Sequence, residues 1–160
     1  MSIDTEQLKK LIITPTLKEL DLYSHSAVNL LLGTCATESQ MGTYLKQKGT
    51  GPALGIYQME PATFDDISEN YLEYRPNLIA RVRMCMEYDQ SFSFVVTDMI
   101  WNLKLATAMC RIHYLRIPQP LPKSSDIYGL ANYYKKYYNT EKGKGSVGKF
   151  VADYEAYVND

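Results

Sequence analysis

Apolar positions recur at helical spacing along almost the whole chain. Residues 4–13 place Leu8, Leu11 and Ile12 on one face. Thr14-Pro15 reads as an N-cap followed by a first-turn proline, opening a short helix to about Asp21. Ser24 or Ser26 can cap the next helix, roughly 26–40, whose apolar stripe is Val28, Leu31, Leu32 and Cys35. The next member of that stripe is Glu38. Residues 42–59, "GTYLKQKGTGPALGIYQM", hold four glycines and a proline and read as loop, with a small irregular hairpin near 44–58. Helices restart at Pro61 and at Pro76. The run 91–117 is the longest and most apolar and reads as a central core helix. "PQPLPKSSD" is a stiff linker, followed by a helix at about 126–138, the loop "TEKGKGSVG" and a last helix over about 146–158. The fold class expected is mainly α, a single domain over 1–160 with residues 1–23 as a helical segment packed on it.

Composition narrows the partners. The formal net charge is −1, so no global field favours nucleic acid or an anionic membrane. No run has the apolar length of a membrane span, and "MSIDTEQLKK" lacks the pattern of a signal peptide. Cys35, Cys85 and Cys110 are odd in number and widely spaced. They match no zinc pattern and read as small buried hydrophobes from a reducing compartment. His25 and His113 lie far apart with no second ligand at useful spacing. No metal or cofactor is expected.

The candidate chemistry starts at Glu38. A carboxyl at a helix C-terminus faces the negative end of the helix dipole, and an apolar surround adds desolvation. Both favour the protonated form, which a general acid needs to protonate a glycosidic oxygen. In the loop that follows, Gly55 lets backbone pass close to a ligand. Gln58 offers a donor and an acceptor to a sugar, and Tyr57 offers a stacking face. The chain has fourteen tyrosines, and five fall between 128 and 138. At helical spacing, Leu130, Tyr133, Tyr134, Tyr137 and Tyr138 read as core or groove wall, with hydroxyls able to bond the acid or a sugar. The lysines of "KKYYNTEKGKGSVGK" form a local basic patch. Trp101 reads as core.

The order of these pieces resembles the soluble-type lytic transglycosylases, which share a lysozyme-like fold with goose-type lysozyme. The motifs are "ATESQMG" with Glu38-Ser39, "ALGIYQMEPATF" with Gly55 and Gln58, and a third that is either "LANYY" with Tyr133 or Tyr134, or "YYNT" with Tyr138-Asn139. The similarity runs from about residue 26 to 157, and "YYKKYYNTEKGKGSVGKFV" also resembles lysozyme-like proteins of tailed bacteriophages. It implies a peptidoglycan glycan strand as substrate, cut between N-acetylmuramic acid and N-acetylglucosamine, with Glu38 as acid then base. Ser39 would orient Glu38 or touch the sugar; Gly55, Tyr57, Gln58, Tyr133, Tyr134, Tyr138 and Asn139 would line the site. A hydrolysing relative would add a second acid, for which Asp65, Asp66, Glu60 and Asp98 are candidates. The resemblance further implies a phage protein made in a bacterial cytoplasm, either carried in the virion beside other virion proteins or released to reach the wall. The alternative is a non-catalytic virion structural or assembly protein that keeps the fold.

Overall fold

Helix caps set the frame. The computed structural model describes residues 1–87, 89–91, 93–140 and 143–159, and the fold is mainly helical. The N-terminal stretch is one helical run in three parts: α1 (Thr5–Gln7), a π-helical segment (Leu8–Ile13) and α2 (Thr14–Glu19). The expected break at Thr14 does not occur, because Thr14 is itself helical and its N–H reaches back to the Lys9 carbonyl. Proline inside an α-helix loses a bond and collides with the carbonyl four residues back. The wider π turn just before Pro15 accommodates it.

The helix α3 (His25–Ser39) begins where the Ser24 hydroxyl accepts the Ala27 N–H at 3.0 Å. It is buried nearly all round, as expected of a helix at the centre of a core. Gly33 lies on the side facing α8 (Val147–Tyr157), where an added Cβ would collide with the Phe150 ring. The missing side chain is what lets Phe150 seat against the α3 backbone, burying a ring that contributes about 1.5–3 kcal/mol.

Between these lie α4 (Pro61–Asn70), a 3-10 turn (Leu72–Tyr74) and α5 (Pro76–Cys85), both helices opening on proline as expected. The run 91–117 is not one helix. A 3-10 turn (Val96–Ile100) precedes a break at Trp101-Asn102, and α6 (Leu103–Leu115) starts afresh. Two side chains impose the break. Asp98 accepts the Val95 N–H at 2.9 Å, and Asn102 caps α6 by accepting from Leu105 at 3.0 Å. Trp101, expected in the core, is 62% exposed at this corner. The helix α7 (Ile127–Tyr134) passes into a second π-helical segment (Lys135–Asn139). One hydrophobic core runs from Leu8 to Tyr154 and includes all three cysteines. Burial pushes the Cys35 and Cys85 thiols up to about 12, so both are inert.

The loop after α3 contains two isolated antiparallel bridges, Lys46 with Leu54 and Leu54 with Met59, within the expected hairpin region. Among the described residues, no helix is long and apolar enough to cross a membrane.

Candidate active site

The end of α3 is built to turn sharply. Gln40, Met41 and Gly42 all take left-handed backbone, with φ of 51°, 52° and 75°. The first two are strained for residues with side chains, and such strain persists only where surroundings hold it. Ser39 does the holding. Its hydroxyl is fully buried, accepts the Gly42 N–H at 2.8 Å and donates to the Ile56 carbonyl at 2.6 Å. The expected role of Ser39 at a sugar is therefore corrected: it ties the helix end to the loop beneath the site.

Glu38, one residue earlier, points the other way, into a polar cleft of about 570 Å³. Its Oε1 accepts the Tyr134 hydroxyl at 2.6 Å. Burial lifts the Glu38 carboxyl above the ordinary carboxylate range; Tyr134, Asn139 and the charge of Lys149 offset only part of that. Desolvation wins because a buried carboxylate loses more hydration than one phenol and one amide restore. Lys149, from α8, donates to the Thr37 carbonyl at 2.8 Å and pairs with Asp153 at 2.5 Å. It thus puts a cation at the negative end of the α3 dipole.

The π turn after α7 explains how Tyr134 and Asn139 meet one carboxyl. Residues five apart diverge by about 140° on an α-helix of 3.6 residues per turn. The wider turn of Lys135–Asn139 brings them toward one side. Tyr134 is clamped between Phe150, at 5.2 Å between ring centroids, and Tyr138, at 6.1 Å. The Lys135 ammonium donates to the Asn139 side-chain oxygen at 3.0 Å and to the Thr140 and Gly143 carbonyls at 2.6 and 3.1 Å. That ties Thr140 and Gly143 of the glycine loop to the π-helical segment. Gly145 then lies so close over the site that a Cβ would collide with the Tyr134 hydroxyl.

The other expected site residues divide clearly. Gln58 lines the cleft; its amide nitrogen donates to the Gly55 carbonyl at 2.8 Å, which leaves the amide oxygen as an acceptor for a ligand. Tyr138 and Asn139 also line it. Gly55, Tyr57 and Tyr133 do not, and their expected ligand contacts are corrected. Gly55 has φ 77° and sits where a Cβ would come within 2.6 Å of the Met99 carbonyl, so it shapes the turn that presents Gln58. The Tyr57 ring is buried with its hydroxyl 3.1 Å from Thr107, while its carbonyl accepts the Tyr138 hydroxyl at 2.7 Å. The Tyr133 hydroxyl donates to the Gln119 carbonyl at 2.9 Å.

Of the candidate second acids, Glu60 lines the cleft. Asp66 is exposed and pairs with Arg116 at 2.5 Å, Asp65 is exposed, and Asp98 caps its 3-10 turn. Three cleft residues, Thr37, Gln47 and Thr63, carried no signal in the sequence, and His113 and Lys149, visible there only as an isolated histidine and as part of a basic patch, also line it. His113 packs edge-on to Tyr138 at 5.1 Å. Burial, then the Arg116 charge, pushes its imidazole down to about 4, so it is neutral at neutral pH. His25 is exposed at the start of α3. No group of His, Cys, Asp and Glu able to hold a metal occurs among the described residues. Compared with known proteins, the chain has no significant match to a family model, a curated protein or a solved structure.

Proposed function

We propose that the protein cleaves the glycan strands of peptidoglycan, with Glu38 protonating the leaving glycosidic oxygen and then acting as base. The observation that carries this reading is the Glu38 carboxyl, raised in pKa by burial, hydrogen-bonded by Tyr134, and presented to an open polar cleft of about 570 Å³. A general acid is most effective when its pKa lies near the working pH, and burial moves Glu38 in that direction. The Tyr134 hydroxyl holds the carboxyl in one orientation and stabilises the carboxylate left after proton transfer. Gln58, Asn139 and Tyr138 supply polar and aromatic surface suited to a sugar. The motif order that resembles soluble-type lytic transglycosylases points to the same chemistry. A phage source and a role in wall penetration or lysis belong to that resemblance, as does any association with virion proteins.

The test is incubation of the wild-type protein with purified sacculi and mass analysis of whatever becomes soluble. Fragments ending in 1,6-anhydro sugars would assign a transglycosylase, in which the substrate supplies the second nucleophile. Reducing ends would assign a hydrolase, with Glu60 as the acid to examine for activating water. Intact walls across a range of pH and salt would contradict the proposal and favour a non-catalytic role.

A further inference from the structure

The cleft is electrically lopsided. Past Glu38 it continues into a second lobe of about 330 Å³, which shares Thr37, Glu38, Gln47, Gln58, Lys144 and Lys149 with the first. Lys48, Lys144 and Lys149 line this lobe, and Glu38 is its sole carboxylate among the described residues. Burial keeps that carboxyl toward its neutral form. Lys149 is anchored by Thr37 and Asp153. Lys48 sits over the Tyr44 ring at 3.9 Å, which holds its ammonium in place without neutralising it. Neither Lys48 nor Lys144 has a carboxylate partner among the described residues. Glu60 and the neutral His113 line the first lobe but not this one. Like charges gathered around one concavity repel, and an incoming anion relieves that repulsion.

We infer that the lobe bounded by Lys48, Lys144 and Lys149 is an anion subsite that receives a carboxylate of the glycan strand beside the bond cut at Glu38. This rests on the proposed glycan reading. Such a strand offers the carboxylate from two sources: the lactyl group of a peptide-free muramyl residue, or the stem peptide where one is attached.

The test measures binding by calorimetry to the Glu38→Gln protein, which prevents turnover, with its fold checked by circular dichroism. Three probes of matched sugar number are compared: a neutral chito-oligosaccharide, a peptide-stripped muramyl strand and a peptide-bearing strand. At low salt a carboxylate-bearing strand is expected to bind about ten-fold tighter than the neutral one, with the gap closing as salt rises. Adding Lys48→Gln and Lys144→Gln should abolish the gap and leave the neutral oligomer's affinity unchanged. Preference for the stripped strand identifies the lactyl carboxylate; preference for the peptide-bearing strand identifies the peptide. Equal binding of charged and neutral probes overturns the anion subsite while leaving the glycan reading intact. So does an equal loss for all probes in the lysine variants. If none of the three binds, the glycan reading falls and the subsite falls with it.

Discussion

Replacing Tyr134 by phenylalanine removes one oxygen from the site and little else. The ring stays clamped by Phe150 and Tyr138, but the 2.6 Å hydrogen bond to Glu38 is lost. A hydrogen bond to a charged group contributes about 1.5–3 kcal/mol and a neutral one about 0.5–1.5 kcal/mol. The phenol therefore favours the ionised carboxyl by about 1 kcal/mol over the protonated one. Without it, ionisation is harder and the acid keeps its proton to higher pH. At 1.36 kcal/mol per unit, the alkaline limb of the pH–rate profile should move up by roughly 0.7 pH unit. The maximal rate should fall as well, because the carboxylate left after proton transfer has lost a donor. Initial rates of fragment release from purified sacculi, measured from acid to weakly alkaline pH, give both quantities. A limb that stays in place or moves down would show that Tyr134 does not tune the group controlling the rate.

Four further substitutions probe the same architecture. Glu38→Gln should stabilise the protein at pH 8 but not at pH 4. Burial raises the folded-state value of Glu38, so its contribution is fully present below the ordinary carboxyl range and is lost as pH rises through the folded value. Thermal melts should show a gain of about 2–4 °C for each kcal/mol relieved, and a lower melting temperature at pH 8 would contradict the burial argument. Gly145→Ala should displace the Tyr134 hydroxyl and depress activity with the fold retained. Gly148→Ala, in α8 with open space around it, should leave activity unchanged and stabilise by about 0.4–1 kcal/mol; circular dichroism and sacculus clearing together separate the two. Ser39→Ala orphans the Gly42 N–H and Ile56 carbonyl and should cost about 1–3 kcal/mol, read as a lower denaturation midpoint at unchanged slope.

The helical character, the prolines that open α4 and α5, and the position of Glu38 at the end of α3 were legible in the sequence because they depend on local periodicity and capping. The run 91–117 was not, because apolar content is blind to Asp98 and Asn102, two short polar side chains that redirect backbone bonds and expose Trp101. Pro15 misled for the opposite reason: a π turn absorbed a residue that usually ends a helix. Within the site, Gln58, Tyr134, Tyr138 and Asn139 were readable from motif and spacing. Ser39, Gly55, Tyr57 and Tyr133 belong to the same motifs, yet they are buried behind the cleft wall. A motif places a residue near a site without saying which side of the backbone it serves. Lys149 and His113 arrive from elements more than 70 residues beyond Glu38, and the sequence marks them only as one lysine of a basic patch and a histidine with no second ligand at useful spacing. The glycine spacing of "KGKGSVGK" was the available hint, since Gly145 is small because Tyr134 and Asn139 lie against it.

The most direct measurement is the rate at which wild type and Glu38→Gln release soluble fragments from the same purified sacculi, at the pH where wild type is fastest. Wild type is expected to release glycan fragments, and the variant, folded and at equal concentration, to be at least about a hundred-fold slower. Equal rates, or no release by wild type at any pH, would contradict the assignment of Glu38 as the catalytic acid.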